Sequence, residues 1–205
     1  MNVTDFRQLI TPHAPGVPVS IVDNLVRQVL VEFFTKSEAW QVTLDPIFAI
    51  QKLAFYDFPV SDGAKVIRVL QASYADTQMV ATDEITIRQS LAKTESGTPS
   101  RYSVTSAGEL IVAPTPSKLG DNIYVKAVLV PTGVFTAIDN YAVEEHQQAI
   151  IDGVLSKIFA MPKGWNDPKA SLYHKQLYMS AMQLALRTNN KEAVNRTKVV
   201  KYGGL

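Results

Sequence analysis

Apolar residues return every three or four positions along the first part of the chain. Ile21, Val22, Leu25, Val26, Val29, Leu30, Phe33 and Phe34 mark a helix whose apolar face is so wide that neighbours must enclose most of it. Ser20 and Asp23 have the spacing of a capping box at its start; the helix ends near Lys36, and Trp40 follows as an anchor. Ahead of it, Phe6, Leu9 and Ile10 give residues 1–10 the apolar side of a short helix. The run from Thr11 to Pro18, TPHAPGVP, reads as a stiff turn or extended linker.

From Trp40 to about Pro131 short β-rich runs alternate with turn signals. The candidate strands are Lys52 to Phe58 (closed by Pro59), Ala64 to Leu70, Arg101 to Thr105, Leu110 to Ala113 and Ile123 to Val130. Ile85-Thr86-Ile87 fits a short strand or part of a helix. Ser106-Ala107-Gly108-Glu109 has the composition of a hairpin turn, Pro114 to Asn122 is a longer loop, and Glu95 to Ser100 is a polar loop tip. This middle part is expected to be one small antiparallel sheet.

The helical period returns between Tyr141 and Thr188 as two helices around a tight turn. Ile151, Val154, Leu155, Ile158 and Phe159 make the stripe of the first, which Pro162 and Gly164 stop. Asp167 is placed to cap the second, with Pro168 at its first position. In that helix Ala170, Tyr173, Leu177, Ala181 and Leu184 are expected to be buried, with Tyr178, Met182 and Ala185 widening the stripe. Gly153 inside a helix costs about 1 kcal/mol against Ala, which points to a close crossing by a partner helix.

The pattern therefore predicts an α+β fold. An N-terminal helix and a C-terminal helical hairpin form a helical bundle, a small antiparallel β-sheet domain is inserted between them, and an extended tail ends the chain. The boundaries fall at residues 1–40, 41–140, 141–188 and 189–205. In the tail the helical pattern fades, and Lys191, Arg196, Lys198 and Lys201 stand against Glu192 alone. Val199-Val200-Lys201-Tyr202 has strand composition, and the stretch from Lys191 to Leu205, fully extended, reaches about 50 Å. It suits β-augmentation or groove insertion on a partner and equally suits a frayed terminus.

Charge and composition narrow the chemistry. The 205 residues carry a formal net charge of +1, which argues against a dedicated nucleic-acid or membrane binder. There is no cysteine, so disulfides, thiolate metal sites and cysteine nucleophiles are excluded. No apolar run reaches membrane-spanning length, and the N-terminus lacks signal-peptide features, so a soluble protein made in the cytoplasm is expected. His13, His146 and His174 are scattered without metal-ligand spacing, and the pair Glu144-Glu145 suits a helix N-terminus better than acid–base work. Neither phosphate-binding glycine motif nor a nucleophile elbow occurs. No enzyme, cofactor or metal is implied. Arg187, Lys191, Arg196, Lys198 and Lys201 could line a basic stripe, with Tyr202 able to stack on a base.

One further pattern is the order of packing signatures. The helix from Ser20 to Lys36 is followed by Trp40 and Leu44-Asp45-Pro46. The strand-rich part closes on Leu110 to Pro116 and on Ala127 to Pro131, and then come Gly153-Val154-Leu155, Trp165-Asn166-Asp167-Pro168 and the helix from Ala170 through Tyr178. This order resembles the head-to-tail adaptor (connector) proteins of tailed bacteriophages, of the short-tailed type. The resemblance covers roughly Val19 to Thr188. It implies a structural virion protein of the neck, assembled in the host cytoplasm as a homo-oligomeric, twelve-membered ring beneath the portal protein. Such a ring extends the channel through which genomic DNA passes non-specifically and gives the tail (nozzle or tail tube) protein its platform. The C-terminal segment of such proteins reaches the portal, and from their chemistry Lys198, Val199, Val200, Lys201 and Tyr202 are the residues to make that contact here. Another neck component, such as a tail-completion or terminator protein, and a small DNA-binding protein remain as alternatives.

Overall fold

The computed structural model of the chain describes residues 2–93, 96–133, 135, 138, 140–162 and 164–197. In chain order the elements begin with α1 (Val3–Ile10), α2 (Val19–Ser37), β1 (Gln41–Thr43), β2 (Ile47–Phe48), β3 (Phe55–Tyr56), β4 (Ala64–Tyr74), β5 (Thr77–Gln78) and β6 (Val80–Ala81). They continue with α3 (Glu84–Lys93), β7 (Arg101–Val104), β8 (Leu110–Ala113), β9 (Asn122–Pro131), α4 (Asn140–Glu144), α5 (Gln147–Phe159) and α6 (Pro168–Thr197). The fold is α+β, and it separates into a helical unit, Met1–Ala39 with Pro131–Leu205, and a β unit, Trp40–Val130.

In the helical unit α5 is the hub. Every residue from Ala149 to Ser156 is buried, as is Ile158, and α1, α2 and α6 all pack on it. A helix that is apolar on most of its circumference can only be stable inside. Gly153 is where the crossing is closest: a Cβ there would lie 2.7 Å from Val29 Cγ1 on α2 and 2.9 Å from Tyr178 Cδ2 on α6. Tyr178 is itself buried beside Phe33, so α2, α5 and α6 meet at one point.

α2 buries Val22, Leu25, Val26, Val29, Leu30, Phe33 and Phe34, the stripe its periodicity predicts. The capping box of Ser20 and Asp23 does not form. The helix begins at Val19, with Pro18 at the cap position, and the Asp23 carboxylate instead accepts from Arg7 Nε of α1 at 2.8 Å. α1 has its own capping box, Asn2 with Asp5. It buries Val3, Phe6 and Ile10 and leaves Leu9 at the surface, although the sequence pattern places Leu9 inward.

α6 starts as its sequence indicates: the Asp167 carboxylate accepts from the backbone N–H groups of Lys169 and Ala170, each at 3.0 Å. Two other expectations about it fail. Its buried line is Tyr178, Met182 and Ala185, while Tyr173, Leu177 and Leu184 are exposed. The gap over Gly153 admits Tyr178, and that ring sets which side of α6 turns inward. The helix also continues to Thr197, so residues 189–197 are helical where extended chain was expected. Lys191, Glu192 and Ala193 are good helix formers, and no Gly or Pro interrupts them. Ahead of α5 the short α4 ends at Glu144, so the pair Glu144-Glu145 lies in the α4–α5 junction and His146 takes the cap position of α5.

In the β unit the expected single sheet is two. One has the order β1-β9-β4-β5, with β2 also paired to β9; the other runs β3-β8-β7-β6. The long loop after β8 carries the chain from one sheet to the other, so β8 and β9 are not partners. Within Lys52 to Phe58 only Phe55 and Tyr56 pair, opposite Ile111 and Leu110. The preceding residues instead curl around the Tyr56 hydroxyl, which donates to the Leu53 carbonyl at 3.0 Å. The β7–β8 hairpin does form over Ser106 to Glu109, with Gly108 at φ 89°. Ile85 to Ile87 fall in α3, where Asp83 accepts from the Thr86 N–H at 2.8 Å. Ile87 packs with Ile111, Ala113, Phe55 and Leu91.

Candidate partner-contact surface

The only histidine–carboxylate pair among the described residues joins α5 to α6. Asp152 is 4% exposed, and its Oδ1 lies 2.7 Å from His174 Nδ1. That geometry could orient an imidazole toward a nucleophile, but the nearby Ser171 hydroxyl donates to the Ser156 carbonyl at 2.8 Å instead. The pair and this serine bond hold the two helices together. His146, half-buried against Phe33 at 5.0 Å between ring centres, has its pKa lowered by burial, with Glu145 partly opposing the shift. His13 is exposed in the linker after α1. No group of three or more candidate metal ligands occurs among the described residues.

The surface is more informative than the interior. Three exposed apolar residues, Tyr173 (59%), Leu177 (40%) and Leu184 (66%), form one strip along α6. Leu172 (58%) and Met179 (37%) form a second. At 3.6 residues per turn these strips lie about a third of a turn from each other and from the buried line. Gln176, Ser180, Gln183 and Arg187 separate them on the outer side. Of the three apolar sides of α6 its own unit covers one, the Tyr178 line, and leaves two uncovered.

Each strip has a distinct border. Leu177 and Leu184, with Ala149, Ala181 and Ala185, line a groove of about 460 Å³ whose rim carries Glu145 and His146. Leu172 and Lys175, both exposed, border a shallower hollow that Ala160 and Pro168 also line. Neither Glu145 nor Lys175 has an ion-pair partner among the described residues. A larger trough of about 660 Å³ runs along the outer face of α2 past Arg27, Val31, Glu32 and Lys36. Its acidic group is already engaged, since Glu32 meets Lys36 at 2.7 Å and Lys157 at 3.1 Å. The two lysines offset the cost of its partial burial and hold its pKa low.

Of the residues singled out from sequence, Lys198, Val199, Val200, Lys201 and Tyr202 lie outside the described residues. Arg187 is exposed on α6. Lys191 follows it by one helical turn and Arg196 by nine residues, so the backbone places the first two positions on one side of α6 and the third on the other. The strips, Lys175 and Glu145 were not legible as a surface, because periodicity finds apolar residues on a helix without saying which of them meet the same chain.

The histidine–carboxylate pair ties helices together, and α6 leaves two apolar strips uncovered. A family model described as SU10 adaptor protein matches residues 1–200, and the chain belongs to that family. It is thus a structural adaptor protein of a bacteriophage particle, of a family that is not one of enzymes, and portal and tail components are its implied partners. No curated protein matches the chain. Among the described residues no helix is long and apolar enough to cross a membrane.

Proposed function

We propose that the protein is the head-to-tail adaptor of the virion neck: copies form a ring beneath the portal, lengthen the DNA channel and present the platform on which the tail is built. The family match across residues 1–200 carries this reading. The two exposed strips of α6 support it, because a subunit that meets a neighbour on each side needs two contact surfaces. In this arrangement the helical unit acts as the bundle that packs between neighbours, and twelve copies match a dodecameric portal. DNA passes without sequence reading, with Arg187 and Lys191, one turn apart on α6, as candidate basic contacts and Arg196 on the other side of the helix.

The terminal segment Lys198 to Tyr202 docks on the portal in this reading. It combines two lysines with Val199, Val200 and Tyr202, a composition suited to adding a strand or filling a groove on a partner. Any order it gains there costs conformational entropy, which lowers the affinity the contact would otherwise have. The test is a chain ending at Thr197, mixed with the portal protein encoded in the same genome. Loss of portal binding with unchanged circular dichroism is the expected result. Undiminished binding by the shortened chain overturns the role given to these residues.

A further inference from the structure

We propose that neighbouring copies meet through a directional contact in which the Leu172–Lys175–Met179 ridge of one α6 seats in the groove of the next copy, with Lys175 paired to Glu145. The proposal rests on the reading of the protein as a ring-forming adaptor and names the surfaces that build the ring.

The geometry of the two sides differs in the way such a contact needs. Leu172, Lys175 and Met179 are spaced i, i+3 and i+7, which aligns them as one ridge on the helix. The groove between α5 and α6 is lined by Ala149, Ala181 and Ala185 with Leu177 and Leu184, and its polar part by Gln148, Asp152, Thr188 and Asn189 beside Glu145 and His146. A ridge of side chains entering a groove between two helices is the ordinary way helices pack. A two-fold contact that lays like strip on like strip leaves the other strip of each copy in water. A head-to-tail contact covers both strips on every copy, and such contacts close into rings when the rotation between copies allows it.

Charge gives the contact its direction. The ridge carries Lys175 and the groove rim carries Glu145, and both are exposed without a partner of opposite charge among the described residues. Ridge against ridge sets lysine near lysine, and groove against groove sets glutamate near glutamate. Only ridge against groove pairs them. The larger trough on α2 offers no such complement, since Glu32 there is already bonded to two lysines. A few side chains on each side bury well under the roughly 800 Å² per partner of a standard stable interface. The contact is therefore weak between free copies and takes effect when a portal holds the copies side by side.

The test is a charge swap read on the portal. Glu145→Lys, Lys175→Glu and the double variant are each titrated onto purified portal, and copies bound are counted by native mass spectrometry; circular dichroism and thermal melting check that every variant folds. Each single variant should need about tenfold more protein, or more, to fill the ring. The double variant should recover most of that loss. Single variants that fill the ring like the wild type, or a double variant no better than the singles, overturn the proposed contact while the adaptor reading stands. Failure of the wild type itself to add to the portal overturns both.

Discussion

Replacing Gly153 by alanine tests the packing of the helical unit at its tightest point. The added Cβ would lie 2.7 Å from Val29 Cγ1 and 2.9 Å from Tyr178 Cδ2, closer than carbon atoms pack. Val29 is fully buried and Tyr178 nearly so, and neither can swing into solvent. α2 or α6 must therefore move outward, and overpacking of this kind costs about 1–3 kcal/mol. Alanine returns about 1 kcal/mol through its better helix propensity. The net expectation is a loss of about 0–2 kcal/mol, or up to about 8 °C in melting temperature for a chain of this size. Denaturant unfolding followed by far-ultraviolet circular dichroism measures it. Val29→Ala removes one of the two clashing groups, so the Gly153→Ala/Val29→Ala pair should show a favourable coupling of about 1 kcal/mol in a double-mutant cycle. A Gly153→Ala protein more stable than wild type, or a cycle without coupling, would refute the three-helix crossing.

Other outcomes follow from the same unit. Asp167→Ala removes the acceptor of two backbone N–H groups at the start of α6 and should cost about 1 kcal/mol, whereas Asp167→Asn should cost much less; urea midpoints compare them. Burial lowers the pKa of His146 from its ordinary 6.5, so the folded protein binds its proton less readily than the unfolded chain. The stability this contributes is present above pH 6.5 and is lost as the pH falls toward the lowered folded value. His146→Gln should therefore flatten the pH dependence of the melting temperature in that window, and an unchanged slope would show that the proton linkage lies elsewhere.

How much of this was legible in the sequence depended on whether a residue's environment lay within its own segment. α2 and α5 were visible because one wide apolar stripe, at the helical period, can face only the core. Gly153 was visible as an anomaly for the same reason, and its two neighbours prove to be a valine and a tyrosine from other helices. α6 misled because it carries apolar residues on three sides, and only the gap above Gly153 decides that Tyr178 turns inward. The apolar pattern fades after Asn189, which reads as the end of the helix, yet the backbone needs no apolar stripe to continue through good helix formers. In the β unit the strands of four or more residues were found. β1, β2, β5 and β6 were missed because two or three residues hold no period. The division into two sheets depends on where the loop after β8 sends the chain, which no local pattern encodes. The candidate surface was hidden for a related reason: Glu145 and Lys175 look like ordinary solvated charges until the strips beside them are seen to be uncovered.

The most direct measurement is the mass of the complex formed when the intact protein is mixed with its portal ring. Native mass spectrometry should show twelve copies added per dodecameric portal, with few intermediate counts once neighbours begin to support one another. Six copies would point to a tail-terminator type of component instead. No association at all, by a folded and full-length chain, would contradict the adaptor reading.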